Sequence, residues 1–246
     1  MALIKFIVSK KIKLLWGVRL GTDSAAIFKK FGLKAFLLDR SIYLASRLLF
    51  FKSIDWLTLS LDDVGEGYLA IPKGHQAKFS NIQEMKHFVG KEYQLEYQFI
   101  KEAFAKGDIP YTITKDSRLC SYGWYAKAPN EIYPGIKFII PERHIYMYKG
   151  FTHPEHRGMR LHAINMARAL RELNNSSAHS FLSFVETQNF ASLRSCYRLG
   201  YQKSGRSILF EILGKTFVFS SAKARAAKVE LMTNTYESFA GFAEKI

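Results

Sequence analysis

Residues 152–162 have the sequence Thr-His-Pro-Glu-His-Arg-Gly-Met-Arg-Leu-His, which contains the residue types of an anion-binding turn. A β-rich run precedes the segment, and apolar residues at helical spacing follow it over residues 161–173. A helix N-terminus attracts phosphate because it offers unpaired backbone N–H groups and the positive end of the helix dipole. Gly158 lets the backbone approach an anion closely, and Arg157 and Arg160 add positive charge beside it. The segment therefore predicts a phosphate-binding turn.

A second strand–helix unit follows over residues 180–201. Its β-rich run ends at Glu186, Asn189 comes shortly after, and a helical pattern then ends at Leu199 and Gly200. Glycine directly after an apolar helical residue is a strong signal for the end of a helix. Because Arg-Gly pairs also occur in plain turns, the phosphate interpretation depends on this second unit at the expected distance.

Together the two units resemble the GNAT superfamily of N-acetyltransferases. The phosphate loop of that family, Arg/Gln-x-x-Gly-x-Gly/Ala, follows the fourth strand, and Arg157 and Gly158 match its start. Its later hallmark is an Asn after the fifth strand and a helix that ends in an aliphatic residue, Gly and an aromatic residue. Asn189 and the Leu-Gly-Tyr at residues 199–201 match that hallmark, and the resemblance covers roughly residues 111–220.

Three positions depart from the family pattern. Arg160 stands where the loop usually has Gly, and His162 stands where it usually has Gly or Ala, so the backbone cradle for phosphate is altered. Cys196 occupies the position, seven residues after the Asn, at which members often carry a Tyr that protonates the departing thiolate.

The resemblance implies transfer of an acetyl or longer acyl group from a CoA thioester, or from an acyl carrier protein, to a small-molecule amine. Such transfer needs a base, an acid and a backbone N–H on the splayed fourth strand that polarises the carbonyl. Glu186 is the first candidate base and His153 the second, with a structural role as the alternative for each. Cys196 is the candidate acid, and its alternative is a small packing residue on the inner face of its helix. The cofactor-binding candidates are Phe151, Thr152, Arg157, Gly158, Met159, Arg160, Leu161, Asn189 and Ser192.

Several aromatic residues in the β-rich runs are candidates for an acceptor cleft, with packing in the core as the alternative for most of them. They are Tyr122, Trp124, Tyr125, Tyr146 and Tyr148.

The order of predicted elements indicates an α/β fold with a GNAT-like mixed, mostly antiparallel central sheet flanked by helices. We predict a basic helical N-terminal extension over residues 1–53 and an acyltransferase domain over residues 54–246 with a helical C-terminal tail. Residues 110–114 and 118–126 predict a hairpin, and residues 80–90 and 92–106 predict two helices.

The net charge of +15 is concentrated in the extension and favours anionic partners, such as an acidic carrier protein or an anionic membrane surface. Nucleic acid is disfavoured because no nucleic-acid-binding motif is recognisable. Two cysteines suit a reducing cytoplasm, with a membrane-peripheral location as the alternative, and we predict no metal site and no membrane span. A catalytically degenerate fold that only binds its ligand, and a basic membrane-surface or nucleic-acid-binding protein, are the alternative functions.

Overall fold

The computed structural model describes residues 24–48, 50–174, 180–212 and 215–233. Contacts divide the chain into two units, residues 1–41 and 42–246. The predicted helical character of the extension is confirmed for Ser24–Leu48, which forms a helix interrupted at Gly32 (φ 82°, ψ 180°). The prediction for residues 1–23 lies outside the described residues. None of the described helices combines the length and the apolar character that crossing a bilayer needs.

The described residues form six helices and eleven strands. The helices are α1 (Ser24–Leu48), α2 (Ile82–Lys86), α3 (Tyr97–Ala105), α4 (Leu161–Asn174), α5 (Phe190–Leu199) and α6 (Ala222–Ala226). The strands are β1 (Phe51–Ser60), β2 (His75–Phe79), β3 (Ile109–Lys115), β4 (Arg118–Ala126), β5 (Asn130–Tyr133), β6 (Ile136–Ile139), β7 (His144–Thr152), β8 (Ser180–Glu186), β9 (Gln202–Ile212), β10 (Lys215–Ser220) and β11 (Glu230–Thr233).

Eight strands form one sheet in the order β10-β9-β1-β8-β7-β4-β3-β2. Neighbouring strands are antiparallel except for β7 and β8, which run parallel. The predicted mixed, mostly antiparallel sheet is therefore confirmed. β5, β6 and β11 form a separate small sheet.

The core of the large sheet is divided between its two faces. On one face α4 packs over residues of the central strands, including Leu57, Phe181 and Tyr125. On the other face α2 and α3 cover Tyr122 and Trp124. The small sheet contributes Phe138, whose ring centroid lies 4.8 Å from that of Trp56.

Elements with local sequence signals form close to where they were predicted, although α2 spans only Ile82–Lys86 of the helix predicted over residues 80–90. Asn81 caps α2 in a capping box with Glu84, and Gly200 takes a left-handed conformation at the end of α5. Asp116 and Ser117, both with positive φ, make the turn of the β3–β4 hairpin.

The helical C-terminal tail is corrected by the structure. In the described part of the tail, which ends at residue 233, only Ala222–Ala226 is helical, and Glu230–Thr233 forms β11, which pairs antiparallel with β6. The prediction for residues 234–246 lies outside the described residues. Leu231 is buried while its neighbours are more exposed, so an alternating face and a strand partner outweigh the local helical preference. The second predicted helix also begins later, at Tyr97, and the short strands β2 and β5 were not predicted.

Candidate active site

The two central parallel strands separate towards their carboxyl ends. β7 and β8 pair only from His144 with Ser180 to Tyr146 with Leu182. Beyond that point the Ser183 hydroxyl donates to the carbonyl of Met147 at 3.2 Å. β8 remains paired with β1, and β7 remains paired with β4. A gap between β7 and β8 thus opens at their carboxyl ends, where the phosphate-binding turn was predicted.

A β-bulge in β7 lies next to this gap. Tyr122 pairs with Phe151 and Trp124 with Tyr148, so a single β4 residue faces both Lys149 and Gly150 of β7. Lys149 has a φ of 33°, which marks the distortion. A bulge leaves the extra residue outside the regular ladder and redirects its backbone groups. The backbone at Lys149 and Gly150 therefore lies outside the regular ladder between β4 and β7.

The turn after β7 leads directly into the N-terminus of α4. Pro154–His156 form a 3-10 turn, and the Ile164 amide donates to the carbonyl of Arg160 at 3.0 Å, which places Arg160 at the helix cap. The amides of the first helical turn have no acceptor within the helix and point away from its N-terminus. Arg157, Gly158 and Arg160 are exposed there, so amides and guanidinium groups share one surface.

The backbone of the turn explains one departure from the family pattern. Gly158 has a φ of 87°, a conformation that glycine adopts without strain. Arg160 has a φ of 60°, so it takes a left-handed conformation in which glycine would be easier. Arg160 therefore keeps the glycine-like backbone while adding a positive charge.

His162 and Gly150 explain the second departure. A Cβ atom on Gly150 would lie 2.1 Å from Cε1 of His162, so the imidazole packs directly on the β7 backbone at the bulge. Burial lowers the pKa of His162 to about 4, and the ring is therefore neutral near pH 7. Its Nδ1 is enclosed and has no hydrogen-bond partner among the described residues.

The remaining cofactor-binding candidates differ in how far a ligand could reach their side chains. Phe151 stacks on Tyr122 and Leu161 is buried, so these two could offer only backbone atoms to a ligand. Met159 is 41% exposed at the turn. The Asn189 side chain accepts from the Ser192 amide at 3.2 Å and thus caps α5. Thr152 is half-buried, with its hydroxyl 3.3 Å from that of Ser121.

Glu186, the candidate base, lies at the end of β8 and is held by three side chains. Lys52 Nζ lies 2.8 Å from Oε1, Tyr133 donates to the same oxygen at 3.2 Å, and Gln188 donates to Oε2 at 2.7 Å. Burial, and then the charge of Glu186, raise the pKa of Tyr133, so the phenol remains a donor. The carboxylate is fixed in position while part of it stays exposed.

Cys196, the candidate acid, lies in α5 and packs against the core cluster that contains Leu199 and Tyr201. Burial raises the pKa of its thiol to about 11. This environment is that of the packing residue given above as the alternative. The adjacent Tyr197 is 46% exposed and points away from that cluster.

The aromatic candidates for an acceptor cleft are mainly core residues. Tyr122, Trp124 and Tyr125 are at most 1% exposed and Tyr146 is 4% exposed. Tyr148 is more accessible and donates to the buried Asp108 at 2.6 Å. Asp108 was not predicted as a site residue, because a Gly-Asp pair after a helix has the composition of an ordinary loop.

A cleft of about 380 Å³ lies beside the start of the turn. It is lined by residues that include Glu92, Tyr93, Arg118, His153, Glu155 and His156, and no β8 residue contributes to it. Burial, and then His75 and His153, lower the pKa of His156. The second candidate base, His153, therefore lies in this cleft and not in the gap between β7 and β8.

Comparison with known proteins finds similarity to solved structures only. No family model matches the sequence, and no curated protein matches it. A GCN5-related N-acetyltransferase-like protein from Streptococcus suis is 12% identical with a TM-score of 0.46, over 71% of this chain and 66% of that one. A tandem GNAT protein from the clavulanic acid biosynthesis pathway is 14% identical with a TM-score of 0.48, over 74% and 58%.

A GCN5-related N-acetyltransferase from Sphaerobacter thermophilus is 10% identical with a TM-score of 0.46, over 70% of this chain and 55% of that one. The chain spans 58% to 66% of the length of the first three solved structures that it matches. At these identities the likeness is one of fold.

Proposed function

We propose that the chain is an N-acyltransferase that takes an acyl group from a CoA-type thioester and transfers it to an amine. The observation that carries the proposal is the gap between β7 and β8, which opens after Tyr146 and Leu182 beside the bulge at Lys149 and Gly150. An extended chain that carries a thioester fits between two diverging strands, where it can pair with their free backbone groups.

The turn after β7 supplies the site for the phosphates of the donor. The first-turn amides of α4 lie next to a turn in which Arg157 and Arg160 are exposed, and amides and guanidinium groups both bind phosphate. Because β7 runs from the bulge straight into this turn, one ligand can reach both with its phosphates at the turn and its thioester in the gap. This arrangement supports CoA, or the phosphopantetheine arm of a carrier protein, as the donor.

The bulge supplies the electrophilic part of the chemistry. When an amine attacks the thioester carbonyl, negative charge develops on the carbonyl oxygen, and a fixed backbone N–H stabilises it. The neutral His162 imidazole packs directly on the backbone of the bulge. Glu186 at the end of β8 is the group that we assign as base, directly or through water. Cys196 is the candidate proton donor to the leaving thiolate, with packing in the core as the alternative that its surroundings favour.

Calorimetric titration of the full chain with acetyl-CoA, a long-chain acyl-CoA and free CoA tests the donor. We expect binding that Arg157→Ala weakens by about tenfold, which corresponds to loss of one charge-assisted contact worth about 1.4 kcal/mol. Arg171→Ala, at the opposite end of α4, is the matched control and should leave the affinity unchanged.

Absence of binding by all three compounds would contradict the proposal. Binding without turnover of any amine would instead identify the degenerate, ligand-binding alternative. A thermal shift supports the titration, since a ligand at 100 times its Kd adds about 2.7 kcal/mol of stability.

A further inference from the structure

Three residues that can bind a metal meet beside the cleft at the start of the turn. His75 opens β2, Cys120 lies in β4, and His156 belongs to the 3-10 turn between β7 and α4. One ligand atom from each lies within 4.8 Å of the other two. The elements that carry them are far apart in sequence, so their convergence is produced by the fold.

The hydrogen bonding of His75 leaves one nitrogen free. Its Nδ1 lies 3.3 Å from the carbonyl oxygen of Lys73. Because a carbonyl oxygen only accepts, this contact places the ring proton on Nδ1 and leaves Nε2 with a lone pair. Nε2 is buried and has no hydrogen-bond partner among the described residues. A second ring nitrogen bound to a carbonyl is the usual arrangement of a histidine that ligates a metal.

The unsatisfied nitrogen indicates a ligand, because a buried polar atom without a partner is unfavourable for the folded state. The neighbouring groups offer little to satisfy it. Cys120 Sγ is directed at the carbonyl of Arg118, 3.6 Å away, and the ring of His156 stands nearly perpendicular to that of His75 at 6.0 Å. A cation that prefers nitrogen and sulfur would satisfy all three groups at once.

We propose that His75, Cys120 and His156 bind Zn²⁺, with the fourth position open to the cleft. Two imidazole nitrogens and one thiolate suit this borderline ion, which takes four ligands at about 2.0 to 2.3 Å. Small movements of the partly exposed His156 would bring the donors to that spacing. His153 and Glu155 lie close to His156 at the cleft wall and carry further donor atoms towards the open position.

The position of the site suggests what the metal does. It would join β2 and β4 to the turn that precedes Gly158, and thereby hold the phosphate-binding turn against the edge of the sheet. Zn²⁺ would then link this surface segment to two strands of the sheet. This inference is independent of the acyltransfer proposal, since metal binding is measured without donor or acceptor.

Titration of the metal-free full chain with Co²⁺, followed by absorption spectroscopy, tests the proposal. We expect one equivalent to bind with visible bands of tetrahedral Co²⁺ and a near-ultraviolet thiolate-to-cobalt charge-transfer band, both displaced by Zn²⁺. Cys120→Ser should abolish the charge-transfer band. Cys196→Ser, which removes the other thiol, is the matched control and should retain it.

His156→Gln provides a second variant that does not disturb the buried core, in case Cys120→Ser fails to fold. It should lose the tetrahedral spectrum and the rise in Tm that Zn²⁺ gives the unaltered chain. Absence of Co²⁺ binding by the unaltered chain, or a charge-transfer band that survives Cys120→Ser, would overturn the proposal.

Discussion

Glu186 is fixed between a cation and two hydrogen-bond donors at the end of β8. A carboxylate held in this way can accept a proton at a defined place, but the same contacts would also serve a residue that only positions its neighbours. Kinetics separate the two roles, since removal of a general base lowers kcat and removes the acidic limb of its pH profile.

We expect Glu186→Gln to lower kcat by about 100-fold or more, with a smaller change in KM, because the amide keeps the shape and loses the basic oxygen. Steady-state rates over a pH series with the preferred donor measure this. Glu211→Gln, at the exposed end of β9, is the control. A kcat close to that of the unaltered chain would remove Glu186 from the chemistry.

Cys196 belongs in the same assay, because burial has raised the pKa of its thiol to about 11. If the thiol protonates the leaving group, Cys196→Ala and Cys196→Ser both lose turnover. Undiminished turnover in both variants would identify Cys196 as the packing residue that its place beside Leu199 and Tyr201 suggests.

At the scale of elements, the contact between β7 and α4 connects the bulge to the helix that would bind phosphate. Gly150 and His162 form this contact, and the His162 ring leaves no room for a Cβ atom at position 150. The shape of the gap therefore depends on a pair of residues on two different elements.

We predict that Gly150→Ala destabilises the chain by about 1 to 3 kcal/mol, because the added methyl group overlaps the His162 ring. Combining it with His162→Ala should recover much of that loss. Urea unfolding of the two single variants and the double variant gives the coupling energy as a double-mutant cycle. Strictly additive effects would show that the two residues do not depend on each other.

Elements with a local signature were predictable from the sequence, and elements defined by a distant partner were not. Asn81, Gly200 and the Asp116–Ser117 turn follow from capping and turn chemistry that acts within a few residues. β11 forms because β6 is there to pair with it, and a four-residue strand has too short a pattern to be distinguished from a helix end.

The candidate site likewise has one part that was predictable from the sequence and other parts that were not. The turn at residues 157–161 was predicted because its chemistry is contiguous in the sequence. The gap, the bulge and the group formed by His75, Cys120 and His156 depend on strand pairing, and no spacing in the sequence reveals them.

At the scale of the whole molecule, the net charge of +15 favours anionic surfaces. In α1, the exposed Lys29, Lys30 and Lys34 stand among exposed apolar residues, of which Leu33 is 58% and Leu37 55% accessible. A helix with basic and apolar residues side by side has the composition of an interfacial membrane helix.

We predict that the full chain binds vesicles that contain phosphatidylserine, and that replacing these three lysines by glutamine weakens binding by more than about 100-fold, at about 1 kcal/mol per lysine. Co-sedimentation at low and high salt measures it. Replacement of Lys73, Lys91 and Lys127 gives the same charge change elsewhere and should have a smaller effect. Equal binding to vesicles of phosphatidylcholine alone would exclude the charge as the cause.

The place of β1 between β8 and β9 has a consequence for how the chain acquires its structure. The Trp56 indole donates to Ser207, 151 positions further along the chain, and Lys52 meets Glu186 across 134 positions. During synthesis β1 therefore emerges with both of its edges open, and its partners follow only after most of the chain has been made. Loop closure over such distances slows folding and leaves hydrophobic strands exposed to other chains. Until residues 180–212 have been synthesised, β1 is thus a hydrophobic strand with two unpaired edges that another chain can pair with.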